Sequence, residues 1–543
     1  MPFIQPYNSP LTAAEAAHLL RRTTAGPTQA EVDAFTGLTA TEAVNQLINN
    51  INLSAGPPVN LHRGSPDYGL PLSFTEPFDG TKANGRLNSV RWWWLSRFLD
   101  YQQPPNLLEK LALFWQNHFV VSTDTVTDYR FIFEYLQIIR QHALGNFRQF
   151  IKAIAINAAM LDYLDGDKNT NTSPNENFAR ELQELFVVGE KNADGLPNYT
   201  EQDIKEAARA LTGWRHLNYR VAGSTEVGVE FRIARHDKNN KQFSHYYGNT
   251  VITGNSTANA GHIELDALIN MLLNHPETPK FICRKWYRWF VNTTITQQAE
   301  AEVIVPLAQL FASPGNNFEI APVLRQLLSS QAFFNIENRG ALIKSPLELV
   351  AGAYRFYQVP VPNGFTNAEG AYRYLNTTYN TLRDMQMPLT MQETVFGFEP
   401  YYQVAQSRGW VNSATLAIRY AFFETLANPT YTVTGTQRLG ANLLQWAMQL
   451  QPNFSDVVAT PAISAEFLVQ QFTRHLLVFS PSDHLMNVLT DEVFMGGIPR
   501  SSWPFEWNRY RQTPTDRDAE TAVKTRLVNL TRYALRLAEY QIF

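Results

Sequence analysis

The residues from Pro174 to Gly189, PNENFARELQELFVVG, constrain the fold more than any other stretch of the chain. At about 100° per residue, Phe178, Leu182, Leu185 and Phe186 share one face of an α-helix, so this helix needs a packed neighbour. Asn177, Arg180, Glu181 and Glu184 gather on a flank beside that face, and Gly189 supplies a helix stop. Further on, Thr200-Glu201-Gln202-Asp203 reads as a capping box. It opens a second helix that runs through Ala207, Ala208 and Leu211 to Gly213-Trp214. The pattern predicts a helical hairpin with a polar seam.

Helical periodicity dominates elsewhere. Ala13 to Arg22 is amphipathic, and Thr28 with Glu31 forms another capping box after Gly26-Pro27. Apolar helices follow from Arg91, over Leu107 to Phe119, over Tyr129 to Ala143, and over Phe147 to Tyr163. Between residues 215 and 257 the period changes: Val227 to Ile233 alternates, and Thr250 to Thr253 is β-branched. That predicts a small β-excursion. Helices resume at Ile263 and run to about Leu349, and Leu382 to Phe543 is helical again. Residues 54–79 and 360–370 have loop composition. No fixed period is visible, so a solenoid is not expected. The expected fold is mainly α, a large multi-helix globular fold. Residues 1–425 are expected to form a helical core, and residues 426–543 a C-terminal helical region packed on it.

Composition removes several functional classes. A net charge of -4 with no basic block disfavours nucleic acid as a partner. Cys283 is the single cysteine, which excludes an internal disulfide and any multi-cysteine zinc site. Its apolar helical setting reads as a buried structural thiol. No apolar run approaches the ~18 residues of a transmembrane helix. Met1 to Pro6 lacks the basic and apolar regions of a signal peptide, so the expectation is a cytoplasmic protein. Gly-x-Ser-x-Gly, phosphate-loop and dinucleotide fingerprints are missing, which disfavours hydride transfer and nucleotide hydrolysis. Aromatic content of 13% suits a thick core or a sugar-stacking cleft.

Chemistry-bearing residues sit at three places. His118 closes an apolar helix, where a histidine acts as a ligand, a base, or a cation at the helix dipole. His236-Asp237, with Lys241 beyond, follows the alternating segment, where loops display functional groups; the same residues have turn composition. His245, His262 and His275 have weaker contexts. Glu181 borders the apolar face of its helix, so a buried carboxylate there needs a partner: a metal, a histidine, or Arg209 on the next helix. Two chemistries follow. His118, His236 and Glu181 would ligate a divalent metal such as zinc, iron or manganese, with Glu184 and Asp237 alongside. Alternatively Glu181 and Glu184, or Asp237, form an acid/base carboxylate pair acting on a glycan or another polymer, in a hydrolase-like reaction. The rival reading is non-catalytic: the polar residues form a buried network that fixes packing, and the protein is a scaffold or a partner of an exported enzyme.

Several strings resemble a large bacterial family, domain of unknown function number eighteen hundred. They are AAHLLRRTTAGPT (from Ala16), EKLALFWQNHFVVS (from Glu109), NENFARELQELFVVG (from Asn175), YTEQDIKEAARALTGW (from Tyr199) and RHDKNNK (from Arg235). LLNHPETPKFICRKWYRWFV (from Leu272), IKSPLELVAGAYR (from Ile343) and GWVNSATLAIR (from Gly409) follow in order. The likeness spans roughly Ala13 to Phe423 and fades beyond. It implies a mostly helical fold and no established reaction. Within the shared strings, Asn117, Asn177, Arg180, Arg209, Trp214 and Lys241 are the expected binding residues. The family association also implies a sulfatase-like partner protein and export signals, which makes a periplasmic or secreted location the alternative to a cytoplasmic one.

Overall fold

The computed structural model describes residues 3–54, 56–217, 223–402, 406–450 and 464–543. Helices carry the architecture, and strands among the described residues make only three two-stranded antiparallel hairpins. Local signals place the helix starts. Thr12 with Glu15, Thr28 with Glu31, Thr39 with Glu42, Thr200 with Asp203 and Ser345 with Glu348 all form reciprocal capping boxes. The expected helix over 147–163 is broken into Phe147–Ala155 and Ala158–Tyr163, because the Asn157 side chain caps the second piece. The helix expected from Arg91 begins earlier, at Ala83.

The predicted hairpin is present, with one departure. Glu176–Glu181 is α-helical, but Leu182–Val187 widens into a π-helical turn. Val188 N–H reaches back to the Gln183 carbonyl at 2.9 Å, an i→i−5 bond. The wider turn changes the phase of the helix. Phe178, Leu182 and Phe186 are buried as expected, Leu185 is only half-buried, and Gln183 is carried fully inside. Gln183 there accepts a hydrogen bond from Tyr247 Oη at 2.7 Å. Gly189 ends the segment at φ +90°, and a Cβ at this position would come within 2.7 Å of the Phe281 ring. Both the backbone and the close approach require glycine.

The β-excursion folds back over the hairpin. Trp214–His216 pairs with Val229–Phe231, and Lys241–Gln242 pairs with Val251–Ile252. Ser244 N–H and Oγ both donate to the Asp203 carboxylate at 2.7 Å, fastening the excursion to the second hairpin helix. A third hairpin, Thr432–Thr434 with Gln437–Arg438, lies outside the region expected to hold strand.

One large contiguous apolar core runs through the described residues, from Ile4 near the start to Tyr540 near the end. The C-terminal helix Arg517–Arg536 packs on Ser413–Ala427, Leu443–Leu450 and Trp503–Gln512. The last residues then return to the middle of the sequence. Lys344 N–H donates to the Gln541 carbonyl at 2.8 Å, and Phe543 N–H to the Leu342 carbonyl at 2.9 Å. Cys283 is buried, and burial pushes its thiol pKa up, as expected of a structural cysteine. Among the described residues no helix is long and apolar enough to cross a membrane.

Candidate functional site

A cavity of about 200 Å³ opens where the helix Leu108–His118 meets the helix Glu277–Phe290. Phe114, Trp289, Phe396, Tyr401 and Tyr402 supply an aromatic wall, and Lys110, Asn117, His118, Lys285, Arg288 and Glu348 supply the polar groups. The first hairpin helix takes part through its backbone. Its last turn leaves carbonyls without intrahelical partners. The Leu185 carbonyl accepts from Lys285 Nζ at 3.0 Å, and the Phe186 carbonyl accepts from His118 Nε2 at 2.9 Å.

These contacts fix the histidine tautomer. Burial holds the His118 pKa well below its ordinary value, with the nearby Lys285 charge acting in the same direction. The ring is therefore neutral, with its proton on Nε2 facing Phe186. Nδ1 is then an acceptor, and Lys285 Nζ lies 3.0 Å from it. Lys285 is half-buried with no carboxylate partner among the described residues, and burial, reinforced by Arg288, lowers its pKa to about 7. In its neutral form the amine spends both hydrogens on Leu185 and His118, and its lone pair is left over. One helical turn on, Arg288 stands exposed at the cavity mouth, with no ion pair or hydrogen bond among the described residues.

The remaining polar groups are more settled. Lys110 is ion-paired with Glu348, and Glu348 Oε2 also accepts from Ser345 N–H at 2.7 Å in its capping box. Asn117 Oδ1 accepts from Phe398 N–H at 2.8 Å. The preceding Gly397 has φ +96°, and a Cβ there would strike the Asn117 amide at 2.5 Å. The buried Trp289 Nε1–H has no acceptor among the described residues. Among the described residues the cavity thus presents donors without acceptors, on Arg288 and Trp289, beside an apolar wall.

Of the residues singled out from the sequence, the structure brings Asn117 and His118 into this cavity. It gathers the others elsewhere by their own contacts. Glu181 is half-buried and meets no donor at hydrogen-bond distance among the described residues. Burial, then the charge of Glu184, raises its pKa to about 7, with Arg180 opposing. Glu184 accepts from Tyr199 Oη at 2.8 Å, Arg180 is paired with Glu201 at 2.7 Å, and Asn177 Nδ2 donates to the Leu164 carbonyl at 3.2 Å. Arg209, the partner expected for Glu181, is instead bound to Asp237 at 2.8 Å and to Glu206 at 2.6 Å. The π-turn accounts for part of this: it redirects the residues that follow Glu181, and the β-excursion brings Asp237 to Arg209 first.

His236 and Lys241 belong to a fully buried network centred on Glu264. Lys241 Nζ is 2.5 Å from Glu264 Oε2 and also donates to the Asp237 carbonyl. His236 Nε2 is 3.0 Å from Glu264 Oε1, off the line of a hydrogen bond, while Nδ1 lies 2.9 Å from the Thr212 carbonyl. Trp214 is buried against Phe231 and His262, with ring centroids 5.2 and 4.8 Å away. Among the described residues no group of three or more His, Cys, Asp and Glu side chains is placed to hold a metal ion.

Sequence reasoning misses Lys285, Arg288, Trp289 and Glu264. The first three lie in one string, CRKWYRWF, which reads first as the setting of a buried cysteine. A lysine among Cys283, Trp286 and Trp289 on an apolar helix is the available signal. Glu264 stands out equally, as a carboxylate inside GHIELDALINMLL.

The family model described as Protein of unknown function (DUF1800) matches residues 18–542. The chain belongs to this family. The match extends through the C-terminal region, where the motif likeness fades, so those helices are part of the family's common architecture. No curated protein and no solved structure matches the chain.

Proposed function

We propose that the chain is an enzyme whose reaction cavity is the one lined by His118 and Lys285. Its substrate class is a small anionic metabolite bearing a carbonyl group and an apolar or aromatic body. The observation that carries this reading is a lysine amine held in a cavity by two neutral acceptors, with no carboxylate partner among the described residues. A lysine amine with a pKa of about 7 is half neutral near pH 7, where it serves as nucleophile or base. Arg288 and the Trp289 N–H supply recognition for the substrate's anionic and carbonyl oxygens, and the aromatic wall receives its body. The Lys285 nitrogen attacks the carbonyl carbon; loss of the oxygen as water, with two protons originating on the amine, leaves an imine.

Incubation with glyoxylate and cyanoborohydride, followed by peptide mass mapping, tests this. Lys285 is expected to be modified ahead of the surface lysines at pH 7, and Lys285→Arg to lose that preference. Uniform modification of all lysines, with Lys285 unreacted, would sink the proposal.

A second reading has its own support. The buried Lys241–Glu264 pair and the half-buried Arg209–Asp237–Glu206 group join side chains of the hairpin, the β-excursion and the helix Ala260–Leu273. That is how a structural polar network behaves, and it suits the scaffold role, with the sulfatase-like exported enzyme of the family resemblance as partner. The metal reading needs His118, His236 and Glu181 together, and the carboxylate-pair hydrolase reading needs Glu181 with Glu184 or Asp237. Among the described residues no hydrogen bond or ion pair joins Glu181 or Glu184 to His118 or His236, and Asp237 is bound to Arg209.

A further inference from the structure

The two segments of loop composition, 54–79 and 360–370, line a cavity of about 390 Å³ together with the C-terminal end of the helix Ala83–Leu99. Trp93, Tyr101, Val361, Phe365 and Leu375 give it an apolar and aromatic surface. A volume of this order holds a small organic ligand. A second cavity, of about 200 Å³, adjoins it and is polar, lined by Asn50, Asn52, Gln103 and Asn106. Arg97 and Asp100 line both cavities and so stand at their junction.

The other charged side chains of the described lining are paired: Arg140 with Glu109 at 3.0 Å, Arg355 with Glu31 at 2.7 Å, and Lys110 with Glu348. Arg97 and Asp100 are three residues apart at the helix end, yet among the described residues they form no ion pair with each other or with any other group. Arg97 is partly buried, and its Nε is fully buried without an acceptor among the described residues. Asp100 is held in place by its neighbours. Its carbonyl accepts from Arg355 Nη1, and its Oδ1 accepts from Gln102 N–H at 2.9 Å. No donor among the described residues reaches Oδ2. The last turn of the helix also leaves carbonyls without intrahelical partners, so this end carries a partial negative charge. The junction therefore offers a guanidinium in need of an oxyanion and, beside it, a carboxylate and a helix end in need of a cation.

We propose that this junction binds a free zwitterionic α-amino acid with an apolar side chain. Its carboxylate sits on Arg97, its ammonium at Asp100 Oδ2 and the helix end, and its side chain against Trp93 and Leu375. A simple anion such as phosphate would satisfy Arg97 and be repelled by Asp100, and a simple amine the reverse. A ligand carrying both charges a few ångströms apart satisfies both. The Lys285 cavity shares only Lys110 with the polar one, and this site does not depend on the chemistry there.

Isothermal titration calorimetry and thermal unfolding of the full chain, with L-leucine and L-phenylalanine, test the site. A saturable heat and a matching rise in Tm are expected. N-acetyl-L-leucine lacks the ammonium and L-leucinamide lacks the carboxylate, and each should bind about tenfold more weakly or worse. Inorganic phosphate should not compete. Arg97→Gln and Asp100→Asn should each weaken L-leucine binding to the same degree, while Lys285→Arg leaves it unchanged. Both substituted side chains are partly exposed, and Asp100 meets Arg355 through its backbone, so the ligand-free Tm of each variant should stay near that of wild type. No saturable response to either amino acid would overturn the site. Undiminished binding of N-acetyl-L-leucine would reduce it to an anion site and overturn the zwitterion, and L-leucine binding that survives both variants would place the ligand elsewhere.

Discussion

Glu264 and Lys285 both carry a charged group into the interior, and their neighbours treat it differently. Glu264 is fully buried, and Lys241, His236 and the Asn255 N–H converge on its two oxygens. Lys285 meets two neutral acceptors and another cation, Arg288. A buried group set against an opposite charge is part of the architecture. Burial without one moves the proton equilibrium toward neutrality, and for a lysine neutrality is reactivity. The two regions show why converged charges by themselves do not mark a site; the uncompensated group is the informative one.

The largest effect separates them by stability. Glu264→Gln leaves Lys241 buried without its carboxylate and should cost about 3–5 kcal/mol in urea unfolding, with Lys241→Met in the same background recovering much of it. Loss of under about 1 kcal/mol would show that the network is not holding the fold, and the contrast with Lys285 would collapse.

Next comes pH. Unfolding returns Lys285 to its ordinary value near 10.5, so between about pH 7 and 10.5 the unfolded chain binds the extra proton and stability rises with pH. Glu181 is the mirror case. Its folded value of about 7 lies above the ordinary 4.5, so between those values the folded chain binds the extra proton and stability falls as pH rises. Relative to wild type, Lys285→Met should therefore be most stabilising below pH 7 and lose that advantage toward pH 10. Glu181→Gln should be most stabilising above pH 7 and lose its advantage toward pH 4.5. Melts of the two variants across pH 4.5–10 that run parallel to wild type would remove the distinction.

The smallest effect is at the surface. Glu201 is paired with Arg180, yet its side chain is 68% exposed. Glu201→Gln should change stability by no more than about 0.5 kcal/mol in the same urea assay. A larger change would mean that this flank of the hairpin is more than a solvated face.

The hairpin shows how much of this is legible in the residues. Capping boxes, the glycine stop and the apolar face depend on neighbours a few positions away, so Thr200 with Asp203, Gly189, and Phe178 with Leu182 can be read directly. The polar flank can be identified but not assigned, because 100° per residue stops holding at the π-turn, whose i→i−5 bond follows from packing.

The sequence by itself determined a mostly helical chain, many of its helix starts and the β-excursion. Tertiary structure alone decided which charges are compensated. Arg209 met Asp237 rather than Glu181, Glu264 took Lys241, and Lys285 reached His118 across 167 residues with no carboxylate partner among the described residues. Periodicity is a local property, set by the turn of the backbone. The protonation of a buried group is set by whichever side chains the fold brings within a few ångströms, and that is written in no single segment.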